Sequence, residues 1–106
     1  MNLKDFINKR TKQIQYGNRP DGTPKGAGFL GELIRPDGRS ITEYSIGVEF
    51  DDYKGEIPTL VPTLTKDEIN QLLNIQEGEN IPKKIEQKAI NHARMRRKKG
   101  LSVFAD

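Results

Sequence analysis

Apolar positions along the chain repeat with two different periods, and each period marks its own elements. Ile69, Leu72 and Leu73, and then Ile85, Ala89, Ile90 and Ala93, keep the i, i+3, i+4 spacing of one helical face. The first of these helices has a sharp start. Thr65-Lys66-Asp67-Glu68 is a capping box, in which the Thr65 hydroxyl accepts from the Glu68 amide and the Glu68 carboxylate reaches back. Leu64 before the cap and Ile69 after it are spaced for a hydrophobic staple, so this helix begins at Lys66, and Gly78 lies beyond its end. The next helix starts near Pro82, a residue suited to a first helical position. Gly100-Leu101 gives it a Schellman stop, with Leu101 folding back toward Met95. Near the N-terminus Leu3, Phe6, Ile7, Arg10 and Ile14 predict a further helix over residues 3–15, capped by Asn2 and ended by Gly17. Lys4, Lys9 and Lys12 occupy its other side.

The second period is two. Tyr44, Ile46, Val48 and Phe50 alternate with Glu43, Ser45, Gly47 and Glu49, the pattern of a half-buried strand over 41–50. Residues 29–34, Phe-Leu-Gly-Glu-Leu-Ile, predict a first strand pairing with it as a hairpin. Pro36-Asp37-Gly38 supplies the turn, and two-residue and three-residue turns both fit. Residues 51–55 form a second turn leading to an extended segment at 56–62, an edge strand because Pro58 and Pro62 lack ladder donors. Residues 17–28 hold four Gly and two Pro, which neither a helix nor a central strand tolerates, so they form a long loop. The expected fold class is α+β: a β-hairpin with a short edge strand, packed against two C-terminal helices, plus an N-terminal helix. Residues 1–16 would be a helical extension and 17–106 a single small domain.

Composition narrows the chemistry. Only 33% of the 106 residues are apolar and Trp is absent, so the core is thin. Without Cys there is no disulfide, no thiolate nucleophile and no Cys-based metal site, which fits a reducing compartment. No apolar run approaches the roughly 18 residues of a membrane span, and the N-terminal residues lack the apolar core of a secretory signal. The net charge of +3 hides three blocks: +4 over residues 1–25, −7 over 26–82 and +6 over 83–106. Such asymmetry speaks of partners.

Each candidate motif has a plain structural alternative. Gly26-Ala27-Gly28-Phe29-Leu30-Gly31 matches G-x-G-x-x-G, but a loop precedes it and a strand pattern follows, the wrong context for a nucleotide site. Arg-Pro-Asp-Gly occurs at 19–22 and 35–38, either as two tight turns or as matching Arg-bearing tips that dock on a repetitive surface. His92, the single histidine, has no nucleophile or carboxylate at helical spacing and reads as a packed structural residue. Asp51, Asp52, Glu49 and Glu56 lack the alternation of a calcium loop and read as solvated turn carboxylates. Paired-carboxylate hydrolysis would find a poor sugar cleft in a chain without Trp. No catalytic, cofactor-binding or metal residue is assigned, and no cofactor is expected. Two binding elements remain. In the loop, Asn18, Arg19, Asp21 and Lys25, joined by Arg35 of the second turn, would dock a partner that orders the loop. At the end of the last helix Arg94, Arg96, Arg97, Lys98 and Lys99 either complement the helix dipole or bind a polyanion or acidic protein surface through phosphate or carboxylate contact.

Four stretches in order resemble a small domain of tailed bacteriophages and prophages: residues 17–31, Gly-Asn-Arg-Pro-Asp-Gly-Thr-Pro-Lys-Gly-Ala-Gly-Phe-Leu-Gly; residues 42–48, Thr-Glu-Tyr-Ser-Ile-Gly-Val; residues 57–65, Ile-Pro-Thr-Leu-Val-Pro-Thr-Leu-Thr; and Lys88-Ala89-Ile90-Asn91-His92-Ala93-Arg94 with residues 100–105. That domain occurs as a short free-standing protein or within larger virion-associated proteins. The resemblance implies a phage setting and a location in the virion, with other virion proteins as partners in a multimeric particle. It carries no functional residues over. The expected function is therefore a non-enzymatic tail, head–tail or DNA-ejection-associated subunit. The alternatives are a DNA-contacting protein using the basic helix end and, more weakly, a wall-degrading enzyme or its accessory module.

Overall fold

A computed structural model describes residues 17–19, 22–76 and 78–105. The helix expected over 3–15 and the candidate residue Asp21 lie outside the described residues. The elements are β1 (Leu33–Ile34), β2 (Ser40–Ile41), β3 (Ser45–Phe50), β4 (Tyr53–Pro58), α1 (Lys66–Leu73) and α2 (Lys83–Lys98). β1 pairs with β2 and β3 with β4, both antiparallel. The class is α+β, with a hairpin packed against helices.

The principal hairpin is not the one the alternation suggested. Between 29–34 and 41–50 only Leu33↔Ile41 pairs, extended by Ile34↔Ser40. Phe29 and Leu30 lie in a turn, because Gly28 and Gly31 on either side take φ of +73° and +76°, which no strand continues through. The main ladder instead joins β3 to β4 over six residue pairs, from Ser45↔Pro58 to Phe50↔Tyr53. The segment expected to be a short edge strand is thus a full partner, starting earlier because Asp51 and Asp52 alone make the turn. Asp51 accepts φ +50°, the left-handed region that Asp tolerates better than most residues.

Thr59 N donates to the Tyr44 carbonyl at 2.8 Å, which fixes the phase of the ladder. Antiparallel pairs alternate, so Ile46–Ile57, Val48–Gly55 and Phe50–Tyr53 exchange hydrogen bonds and share one face. That face packs on α2: Phe50 and Ile57 meet Ala89, Ala93 and Val103. A second cluster gathers Leu60, Val61, Leu64, Leu72 and Ile85, flanked by Phe29, Leu30, Leu33 and Ile41. Ile57, Leu60 and Ile85 are at most 1% exposed, and each such side chain contributes about 1.5–3 kcal/mol by leaving water.

Both helix ends follow the sequence. Glu68 N donates to Thr65 Oγ1 at 3.1 Å and Thr65 N to Glu68 Oε1 at 2.8 Å, closing the capping box. At the end of α2, Gly100 N reaches the Arg97 carbonyl (3.0 Å) and Leu101 N the Arg96 carbonyl (2.9 Å), the two bonds of a Schellman motif. Leu101 and Met95 nevertheless stay exposed.

Candidate functional site

The two Arg-Pro-Asp-Gly sequences produce the same backbone frame. Arg19 N donates to the Thr23 carbonyl and Gly22 N to the Arg19 carbonyl; Arg35 N donates to the Arg39 carbonyl and Gly38 N to the Arg35 carbonyl. Each is closed by a glycine near φ +88°. The second is therefore a three-residue turn. The Asp37 carboxylate accepts from the Arg39 amide (3.0 Å) and from Arg39 Nε (2.8 Å), and these bonds hold its pKa below the usual aspartate value.

Neither arginine projects from its turn as a docking tip. Arg19 is 6% exposed and Glu43 only 3%. The guanidinium grips that carboxylate through two bonds, Nε to Oε1 at 2.9 Å and Nη2 to Oε2 at 2.8 Å, with Nη1 on Thr23 Oγ1. Its Cζ lies over the Phe104 ring, 3.9 Å from the ring centre. A fork-to-fork pair under an aromatic lid has the geometry that makes a buried ion pair tolerable. Arg35 reaches across to α1 and donates Nη2 to the Ile75 carbonyl at 2.7 Å, just beyond that helix's end. The expectation that Arg19 is a docking residue is thus corrected: burial of both partners removes it from any surface.

The described loop residues are tied to one another and to Thr42. Lys25 N donates to the Gly17 carbonyl, Asn18 bridges Pro24, and Thr42 Oγ1 donates to the Gly26 carbonyl at 2.7 Å. A Cβ on Gly28 would sit 2.2 Å from the Thr42 carbonyl oxygen, so close backbone approach requires a glycine there. Of the docking set, Asn18 is exposed and Lys25 half-buried.

At the basic end of α2 three of the five cations turn back onto the fold. Arg94 pairs with Asp51 (Nε–Oδ2 2.8 Å) and Arg97 with Asp52 (Nη2–Oδ1 2.9 Å), so both carboxylates of the β3–β4 turn are held. The Arg94 bond keeps the Asp51 carboxyl below the ordinary aspartate range. Arg96 donates Nε to the Ser102 carbonyl and Nη2 to the Phe104 carbonyl, tying down the C-terminal segment. Rings support all three: Phe50 for Arg94, Phe29 for Arg96 and Tyr53 for Arg97. Arg94, Arg96 and Arg97 thus have partners within the fold, although the Arg94–Asp51 and Arg97–Asp52 pairs lie at the surface, with the Asp52 side chain 84% exposed. Lys98 and Lys99 remain exposed.

His92 is buried edge-on against Phe29, with ring centres 4.6 Å apart. Burial, then the nearby Arg96 charge, lowers its pKa. Its Nδ1 has no hydrogen-bond partner among the described residues, and it serves packing, as its missing helical neighbours suggested. Lys88 Nζ holds Glu68 Oε1 at 2.6 Å, joining the capping box of α1 to α2, and this bond leads the causes that depress the Glu68 pKa. Among the described residues no three His, Asp or Glu gather as a metal site, and no helix is long and apolar enough to cross a membrane.

The chain matches no protein-family model, no curated protein and no solved structure. Its site is therefore read from geometry. What the sequence pattern missed is the inward set: Glu43, taken as the outward polar member of an alternating strand, precedes β3 and is buried. Thr42 and Phe104 carried no periodic signal either.

Proposed function

We propose that this protein is a non-enzymatic component of a tailed-bacteriophage particle, a tail, head–tail or ejection-associated subunit that acts by docking onto other virion proteins. One observation carries the reading: the four stretches that bear the phage resemblance meet each other inside the fold. Arg19 of the first grips Glu43 of the second and stacks on Phe104 of the fourth. Thr59 of the third bonds the Tyr44 carbonyl of the second, and Phe29 of the first meets His92 of the fourth. Within the pattern the Arg19 and Glu43 charges face each other in the interior. A pattern that works inward specifies a scaffold and leaves recognition to the surface.

The surface that stands out is the outer side of α2. Met95 is 38% exposed and Leu101 47%. A shallow hollow of about 370 Å³ is lined by Asn91, Arg94, Met95, Lys98 and Lys99. An apolar centre with a cationic rim suits an acidic protein surface. Duplex DNA is the weaker fit, because Arg94, Arg96 and Arg97 already bond groups of the fold, and few phosphate contacts give weak, salt-sensitive binding. Mass spectrometry of purified particles tests the proposal: the protein is expected at stoichiometric copy number. Lys98→Glu with Lys99→Glu should lower its incorporation while leaving the fold intact. Absence of the protein from particles would overturn the reading.

A further inference from the structure

The β3–β4 hairpin has two outer edges, and they are built differently. Along β4 the outward-pointing positions are Lys54, Glu56 and Pro58, since their cross-strand pairs lie between the hydrogen-bonded ones. Pro58 has no amide to offer and Lys54 places a charge there, two devices that blunt an edge. Along β3 the outward positions are Ser45, Gly47 and Glu49. There the middle residue has no side chain, no proline intervenes, and among the described residues no strand pairs with this edge.

A groove of about 450 Å³ runs beside it. Four consecutive residues of this side of the hairpin, from Tyr44 to Gly47, form one wall, and no β4 residue takes part, so the groove flanks the edge and not the sheet face. Residues 79–81 with Lys83 and Glu86 form the other wall. Ile46 and Ile81 make its floor partly apolar, and Ser45 Oγ is buried without a partner among the described residues. The charge around it is mainly negative. Glu79 and Glu86 line the groove against Lys83 alone, and Glu56 Oε1 lies over Gly47 from the neighbouring strand.

We infer that the β3 edge is a docking slot for an extended, cationic segment of a partner polypeptide, bound by strand addition. Backbone bonds to Ser45, Gly47 and Glu49 supply affinity, and lysine or arginine side chains at alternate positions of the segment meet Glu79 and Glu86. The slot lies apart from the outer face of α2 and does not depend on the virion reading.

The probe is a labelled peptide of about nine residues alternating Lys and Val, a usual strand length, with a Glu/Val peptide as control. The Lys/Val peptide is expected to bind the full chain and to protect the Ser45, Gly47 and Glu49 amides from hydrogen exchange. The control should bind at least about tenfold more weakly. N-methylating the peptide amides on its edge-facing side should weaken binding about tenfold or more, while methylating the opposite side should not. Glu79→Lys with Glu86→Lys should invert the preference between the peptides. Equal binding of both peptides, indifference to the side methylated, or no binding would overturn the slot. So would those three amides being protected already in the free protein, whether by a second copy or by the chain's own residues.

Discussion

The two Arg-Pro-Asp-Gly turns share a sequence and a hydrogen-bond frame, yet the fold uses them very differently. At the first, the arginine is sealed with Glu43 beneath Phe104 and joins three distant parts of the chain. At the second, it makes one bond to a carbonyl, and the tip carries an exposed Arg39–Asp37 pair. The local sequence determines how the backbone turns; only the surroundings determine what the turn is worth. A cation in a turn is conspicuous in a sequence for the same reason in both cases, and here it is an internal tie in both.

Substitutions can break this comparison. Arg19→Ala should have the largest effect, about 3–5 kcal/mol, because it leaves the Glu43 charge buried and unpaired. That is a large part of the total stability of a domain of this size, so the denaturation midpoint should collapse. Arg19→Lys should recover little, since an ammonium cannot fork onto the carboxylate or lie flat on the ring. A midpoint near wild type would mean that the pair does not anchor the loop.

Glycine substitutions sharpen the same comparison by holding the surroundings constant. Gly22 and Gly38 have φ of +89° and +88°, and a Cβ would meet nothing within 4 Å at either. Alanine at each should therefore cost about 1–2 kcal/mol from backbone strain alone. The two losses, read from urea melts, should agree; a wide gap between them would show that the turns differ locally after all. Arg35→Ala comes next, at about 1 kcal/mol for one charge-assisted bond at a partly open site. Its shortfall against Arg19→Ala in the same melts measures the contribution of context.

The smallest effect is a matter of pH. Asp37 has a folded-state pKa below its ordinary 3.8 through its bonds to Arg39. The unfolded chain then takes up this proton first as the solution is acidified. The stability the pair gives is present above about pH 3.8 and fades as pH falls through the lower folded value. Asp37→Asn should narrow the difference between melts at neutral and acid pH slightly. His92 acts in the same direction at a higher pH, with its loss beginning as pH falls below about 6.5, because its lowered pKa disfavours the buried cation.

Local rules carried well from the sequence. The capping box at Thr65, the Schellman end at Gly100 and the inward face of α2 are all where residue spacing put them, since each depends on neighbours within one turn of helix. The hairpin was harder. Both 29–34 and 53–58 can be written as strands, and the choice between them depends on glycine conformations at Gly28 and Gly31 that the period-two pattern does not register. Least legible was the destination of the charges. Five cations in and just after the last turns of α2 look like a single basic patch in one dimension. In three dimensions Arg94 and Arg97 reach the two aspartates of the β3–β4 turn, and Arg96 reaches the residues that follow the helix. No periodicity encodes a meeting between residues so far apart in the chain.

The ring that covers Arg19 belongs to Phe104, far along the chain from it, and this places a constraint on the order of folding. Arg19 and Glu43 are both available early as the polypeptide is synthesised, but the ring that shields them is made much later. Until Phe104 and the neighbouring Val103 exist, the pair stays wet and Ala89 and Ala93 lack part of their cover. Contacts between such distant positions are the slowest to form. The Arg19–Glu43 pair and the cluster around Phe50 and Ile57 should therefore close only after Val103 and Phe104 have been made, whereas the cluster around Leu60 and Ile85 can form before them.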